Sequence, residues 1–224
     1  MQRRRHRDEI FHSLLPFYRG GSMKEMKYYM FHKPRGCITA VTDETHRTVM
    51  EYFSGEKVEG LHPVGRLDKD TEGLLLITND GKWNQEIMHP ENHVPKTYFF
   101  WALGTLDEEK IRQIETGVEL RGMTAKPARI RLCETKTLGE ILDLAGGIRV
   151  GNRKDQEVFS GTIVITEGKK HQVRRMLKAV GCYVVYLKRT AIGNLYLDGT
   201  LRKGEYRELT EKEKSKIFIK NEKR

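Results

Sequence analysis

Apolar and polar positions change rhythm repeatedly along this chain, and each change marks a structural element. KYYMFHKP (27–34) alternates apolar and polar residues up to a proline, as a strand does before a break. TVMEYF (48–53) reads as a short helix. Residues 73–78, GLLLIT, form a continuous apolar run of strand length, consistent with burial on both faces. NDG (79–81) turns the chain, and GKWNQEIMH (81–89) spaces Trp83, Ile87 and Met88 as a helix would.

Pro90 and Pro95 bracket a loop that reads as a seam between two halves, about 23–94 and 95–219. KTYFFWAL (96–103) is aromatic and strand-like. DEEKIRQIETG (107–117) is a helix with Asp107 as N-cap and Gly117 past its end. PARIRLCE (127–134) alternates as a strand, whereas 135–158 is the least regular piece. GTIVITEG (161–168) is a strand, followed by a helix over 169–181, KKHQVRRMLKAVG. CYVVYLKR (182–189) and IGNLYL (192–197) read as two strands, and TEKEKSKI (210–217) as a closing helix. Helices mixed with strands over short connections predict an α/β or α+β fold on a mixed sheet. No repeat recurs at a fixed period.

Composition narrows the class. A chain of 224 residues, 38% hydrophobic and 32% charged, can bury a genuine core. No run of eighteen apolar residues is present. Residues 1–22 are arginine-rich, lack the apolar core of a signal peptide, and read as a disordered extension before Met23. Cys37, Cys133 and Cys182 are odd in number and scattered, which fits neither a disulfide framework nor a zinc site. The expectation is a cytosolic protein without metal. A net charge of +10 and a pI near 9.5 fit a polyanion partner, because cationic side chains displace counterions from phosphates.

The charge concentrates beside two apolar segments. GRLDKDTEG (65–73) sets five charged residues against the LLLIT strand, where they are costly unless paired, solvated or used. On the helix over 169–181, Val173, Met176, Leu177 and Val180 form one buried stripe. Lys169, Lys170, His171, Arg174, Arg175 and Lys178 lie largely off it, and Gly181 sits at C′. A start at Glu167–Gly168 would place backbone N–H donors near those cations, as phosphate binding requires. A lone helix of this kind is more often a solvated basic face.

Together these segments identify a pattern. HKPRG (32–36), GRLDKDTEGLLLITNDG (65–81), KTY (96–98), KPA (126–128), EGKKHQVRRM (167–176), LKRTAIG (187–193) and GEYRELT (204–210) occur in order. In these the chain resembles the bacterial ribosomal pseudouridine synthases, type A for small-subunit RNA and types B, E and F for large-subunit RNA, from about Lys27 to Leu209. The resemblance implies a mostly antiparallel sheet in two halves, flanked by helices, around a central RNA cleft. It implies an enzyme that detaches uracil from its ribose within RNA, turns the base and rejoins it through C5. Asp68 is then the catalytic carboxylate, Tyr98 the aromatic residue packed on the base, and Arg174 the cation paired with Asp68. Leu67, Val173 and Leu187 line the pocket. Arg66, Lys96, Lys169, Lys170, His171, Gln172, Arg175 and Lys178 contact RNA. The partner is ribosomal RNA or a pre-ribosomal particle; no cofactor, metal or membrane is implied, and a monomer is expected.

The chemistry agrees with these roles. Breaking the C1′–N1 bond builds oxocarbenium character, which a nearby carboxylate stabilises or attacks. A guanidinium beside a carboxylate favours its ionised form. Tyrosine offers a flat apolar face and a polar tip, and extruding the nucleotide costs a few kcal/mol that phosphate contacts could offset. Arg66, two residues before Asp68, would share its strand face. Asp70 reads as a turn-former accepting backbone N–H bonds rather than a second catalytic carboxylate. His171 reads as an RNA contact or helix start before a general base. Two other functions share these features: a non-catalytic RNA-binding assembly factor, and a hydrolytic glycosylase that admits water. Small-subunit relatives carry an N-terminal S4-type module. Only about two dozen residues precede the first matched strand here, so affinity is expected from the catalytic part or the arginines at 3–7. KHQVRRM and GEYRELT favour 16S over 23S RNA.

Overall fold

The computed structural model describes residues 25–145, 151 and 153–218. The basic N-terminal segment 1–22 lies outside them. Eleven strands are β1 (Tyr28–Lys33), β2 (His62–Val64), β3 (Glu72–Thr78), β4 (Lys96–Leu103), β5 (Glu119–Leu120), β6 (Met123–Thr124), β7 (Arg129–Thr137), β8 (Glu157–Ile165), β9 (Tyr183–Ile192), β10 (Leu195–Tyr196) and β11 (Tyr206–Glu208). The α-helices are α1 (Gly81–Met88), α2 (Glu108–Thr116), α3 (Leu142–Ala145), α4 (Gln172–Ala179) and α5 (Glu211–Lys216). A 3₁₀ turn over Val49–Phe53 stands where a short helix was expected.

Nine of the strands form one sheet in the order β11-β1-β3-β9-β4-β8-β7, with β2 on β3 and β10 on β9. Its pairings are antiparallel except β3–β9, which run parallel at Glu72↔Lys188 and Gly73↔Arg189. Leu74, Leu75, Leu76 and Ile77 are wholly buried because the sheet is covered on both faces. Burial of that size stabilises the fold by roughly 2 kcal/mol per side chain. Leu75 and Ile77 join Tyr98, Phe100, Ile114, Val173, Met176 and Leu177 on one face. Leu74 and Leu76 join Trp83, Ile87 and Ile217 on the other.

Three expectations change. The seam at 90–95 divides the chain but not the sheet: β11, from the far end of the sequence, pairs with β1. Residues 182–192 are one long strand rather than two, because β9 is central and its polar Arg189 and Thr190 hydrogen-bond inward. The helix expected to start near Glu167 starts at Gln172. His171 caps it in the left-handed region (φ 53°), and the Gln172 N–H bonds back to Lys169 O at 3.1 Å. Its other end is as expected. Gly181 (φ 82°) and Cys182 donate to Lys178 O at 3.0 Å and Leu177 O at 2.8 Å, the paired bonds of a Schellman cap.

Gly73 has a specific reason to be glycine. Its φ is 110°, and a Cβ there would strike the backbone of Arg189, so only glycine lets β3 start against β9. Among the described residues no helix is long and apolar enough to cross a membrane, and no three His, Cys, Asp or Glu side chains gather as a metal site.

Candidate active site

Residues 65–71 form a loop entering β3, so Arg66 and Asp68 share a loop rather than a strand face. The loop is held from beneath by a lysine. Lys33, fully buried at the end of β1, donates through Nζ to Pro34 O (3.0 Å), Asp68 O (3.1 Å) and Thr71 O (2.9 Å). Burial pushes its pKa down, with Cys37, Asp70, Asp68 and Glu72 pulling the other way. Thr39 clamps the same loop: its hydroxyl donates to Leu67 O at 2.7 Å and accepts from Leu67 N–H at 3.1 Å. The Thr71 N–H closes a turn on Asp68 O at 3.1 Å. A catalytic loop needs such preorganisation, because misplacement by an ångström lowers rate steeply. The HKPRG segment carried this signal in the sequence, but its lysine received no role there.

Above the loop a small cleft opens, with a volume of about 60 Å³. Its walls include Arg66, Leu67, Asp68, Thr71, Tyr98 and Ile165 from the sheet side, and Lys169, His171, Val173 and Leu187 opposite or beneath. Asp68, Tyr98, Leu67, Val173 and Leu187 are thus brought together as expected. Arg66, Lys169, Lys170 and His171 are exposed at or beside the rim. Ligand pockets typically measure ~300–1,000 Å³, so admitting a nucleotide requires the rim side chains to part.

The expected partner of Asp68 is not the one found. Arg174 pairs with Asp70, Nη2 to Oδ2 at 2.8 Å, and donates through Nη1 to Val184 O at 3.1 Å. Asp68 instead faces His171, Oδ1 to Nε2 at 3.5 Å. The 68–71 turn explains this, since it carries Asp70 outward to α4 while Asp68 points into the cleft. Asp70 is therefore neither a second cleft carboxylate nor an acceptor of backbone N–H bonds. It ties the loop to α4.

Three residues expected to touch RNA do other work. Lys96 is 7% exposed, and burial together with the nearby Arg189 charge pushes its pKa down to about 8. Gln172 is buried: its amide donates to Glu167 Oε1 at 2.6 Å and accepts from Lys169 N–H at 2.9 Å, fixing the 167–171 loop. Arg175 lies half-buried against the β5–β6 hairpin, with Nη2 donating to Arg121 O at 2.7 Å. Lys178 remains exposed on α4.

Glu72 acquires a role on the opposite side of the sheet from the cleft. It is 1% exposed, accepts a very short hydrogen bond from the Tyr186 hydroxyl, and pairs with Lys203 at 2.9 Å. Burial and that carboxylate raise the Tyr186 pKa well above the phenol range.

Comparison with known proteins gives one result throughout. A family model described as RNA pseudouridylate synthase matches residues 27–179. An uncharacterized RNA pseudouridine synthase of Bacillus subtilis (strain 168) is 42% identical over 192 residues, 85% of this chain and 72% of that protein. Ribosomal small subunit pseudouridine synthase A of Haemophilus influenzae is 36% identical over 197 residues, 87% of this chain and 75% of that one. Ribosomal large subunit pseudouridine synthase B of B. subtilis is 34% identical over 194 residues, 87% and 72% of the two chains. A crystal structure of a pseudouridylate synthase superposes with a TM-score of 0.71 at 34% identity, covering 88% of this chain and 75% of that one.

Proposed function

The chain belongs to the RNA pseudouridylate synthase family, and from that premise we propose that it isomerises a uridine of ribosomal RNA with Asp68 as the catalytic carboxylate. The observation that carries the assignment is the position of Asp68: it projects into the cleft beside Tyr98 and Leu187, while Lys33 and Thr39 hold its loop by the backbone.

The site residues divide the work. Asp68 meets C1′ of the extruded nucleotide and stabilises or captures the sugar as the C1′–N1 bond breaks. Tyr98 presents its ring to the base, and Leu67, Val173 and Leu187 exclude water, which directs the sugar back to the base rather than to hydrolysis. The base turns, C5 bonds to C1′, the C5 proton leaves and N1 gains one. Atoms and charge balance with no oxidant. Arg66, Lys169, Lys170 and Lys178 supply phosphate contacts. Arg174 acts on Asp68 indirectly, by anchoring the turn through Asp70.

Ribosomal RNA is the substrate of the named relatives, and we assign this chain the same class, acting in the cytoplasm on RNA or an assembling particle. Small-subunit RNA is the favoured target, on the strength of the KHQVRRM and GEYRELT segments. Mapping pseudouridines in both rRNAs from cells with and without the protein tests this. One small-subunit site lost in its absence supports the assignment; a lost large-subunit site corrects the target. An unchanged map overturns the function.

A further inference from the structure

Two cations lie behind the cleft wall with no anion to neutralise them. Lys96 stands two residues before Tyr98 on β4, hence on the same strand face, and is paired across to Ile165, which lines the cleft. Arg189 stands directly opposite Tyr98 in the β4–β9 register. Both are buried, 7% and 4% exposed. The Lys96 side chain has no hydrogen bond or ion pair among the described residues. Arg189 donates through Nε to Leu74 O at 2.7 Å, but its buried Nη2 has no partner. The Thr71 hydroxyl, in the cleft wall itself, is likewise buried and unpartnered.

Buried charge without a counter-charge is among the costlier features a fold can carry. A carboxylate beside either cation would relieve that cost, and none is present to do so for Lys96, whose charge is influenced only by Arg189. An arrangement of donors left unsatisfied in the resting protein suits an anion that exists only during a reaction.

We propose that Lys96 and Arg189 stabilise uracil while it is detached from its ribose, donating to the carbonyl oxygens of the anionic base. This rests on the function proposed above. When C1′–N1 breaks, the bonding pair stays with the base, which then carries one negative charge spread over N1, O2 and O4. The charge is consumed when C5 bonds to C1′ and protons are redistributed from C5 to N1. Two donors waiting for oxygen acceptors also disfavour cytosine, whose 4-amino group is itself a donor.

The test is single-turnover conversion of pre-bound RNA by wild type and Lys96→Met across pH 6–10. Around Lys96 stand Arg189 on β9 and Tyr98 on its own strand, with Asp68 and His171 in the neighbouring cleft; Ile165 and Ile192 opposite it are apolar. The wild-type rate is expected to fall above about pH 8 as the ammonium loses its proton. Lys96→Met is expected to react about 100-fold more slowly, to bind RNA within about threefold of wild type, to lose the alkaline limb, and to melt no lower. Lys96→Gln carries the same expectation and guards against a poorly folding Met variant. A near-wild-type rate in both variants, an alkaline limb that persists in them, or a wild-type profile lacking the limb overturns the inference and leaves the function standing. Absence of product from wild type overturns the function itself.

Discussion

Asp68 and His171 face each other across the cleft mouth, Oδ1 to Nε2 at 3.5 Å, while Arg174 holds Asp70 at 2.8 Å. The cation nearest the proposed catalytic carboxylate is thus an exposed imidazole on a left-handed cap residue, and the guanidinium acts one step away, on the turn. This division separates the functions of Arg174 and Asp70 in a way that mutation can read.

Arg174 contacts the Asp70 carboxylate and the Val184 carbonyl. Arg174→Ala loses both and frees the 68–71 turn. The expected result is a fall of about 100-fold in single-turnover rate with RNA affinity changed little. Asp70→Asn keeps the backbone contacts, and its exposed ion pair contributes at most about 1 kcal/mol. It should therefore react within about fivefold of wild type. Equal losses in the two variants, measured by rapid-quench conversion, would show that the carboxylate rather than the guanidinium is the anchor.

Lys33 holds three carbonyls of two segments. Lys33→Met fills the volume but leaves those oxygens unpartnered in a buried place. Each orphaned acceptor costs about 1–3 kcal/mol, offset in part by removal of a buried charge. A net destabilisation of about 3 kcal/mol in urea unfolding is expected. Unchanged stability would mean that the loop finds other donors.

Lys96 gives a pH test of stability with a definite sign. Its pKa falls from 10.5 to about 8 on folding, so between those values the unfolded chain binds more protons than the folded one. Stability therefore rises with pH across that window, and the penalty of the buried ammonium is fully present below it. Lys96→Met should be the more stable protein at pH 7, with an advantage that shrinks toward pH 10. A gap in urea midpoints that stays constant from pH 7 to 10 would place the ammonium in water.

The basic surface makes a salt prediction. Lys169 and Lys170 are exposed beside the cleft, whereas Arg175 is spent on Arg121 O. Lys169→Ala and Lys170→Ala should each flatten the slope of log K against log salt by about one unit. Arg175→Ala should leave the slope alone and loosen the β5–β6 hairpin. A slope change for Arg175 alone would reverse the assignment of the RNA face.

Most strands were legible because their apolar runs are long and turn residues bound them: β3, β4 and β8 follow directly from LLLIT, YFFWAL and TIVI. The Asp107 and Gly181 caps were legible because single residue types suit those positions. The start of α4 was not, since KKHQ has helix-compatible composition and only the side-chain bonds of Gln172 show that 167–171 is a loop. Lys96 and Gln172 were misplaced for one reason: polar side chains beside a motif suggest a surface, and burial is a property of the assembled sheet. The Arg174–Asp70 pair was out of reach because a turn decides which of two nearby carboxylates faces outward. Lys33 needed the same information, the meeting of β1 with a loop 35 residues away.

The role of Asp68 is decided by tritium release from RNA labelled at uridine C5, with wild type and Asp68→Asn compared on the same transcript. Wild type is expected to release the label, and the variant to lose about four orders of magnitude or more in rate while retaining RNA binding within a few-fold. Equal release from the two proteins would contradict a catalytic carboxylate at this position.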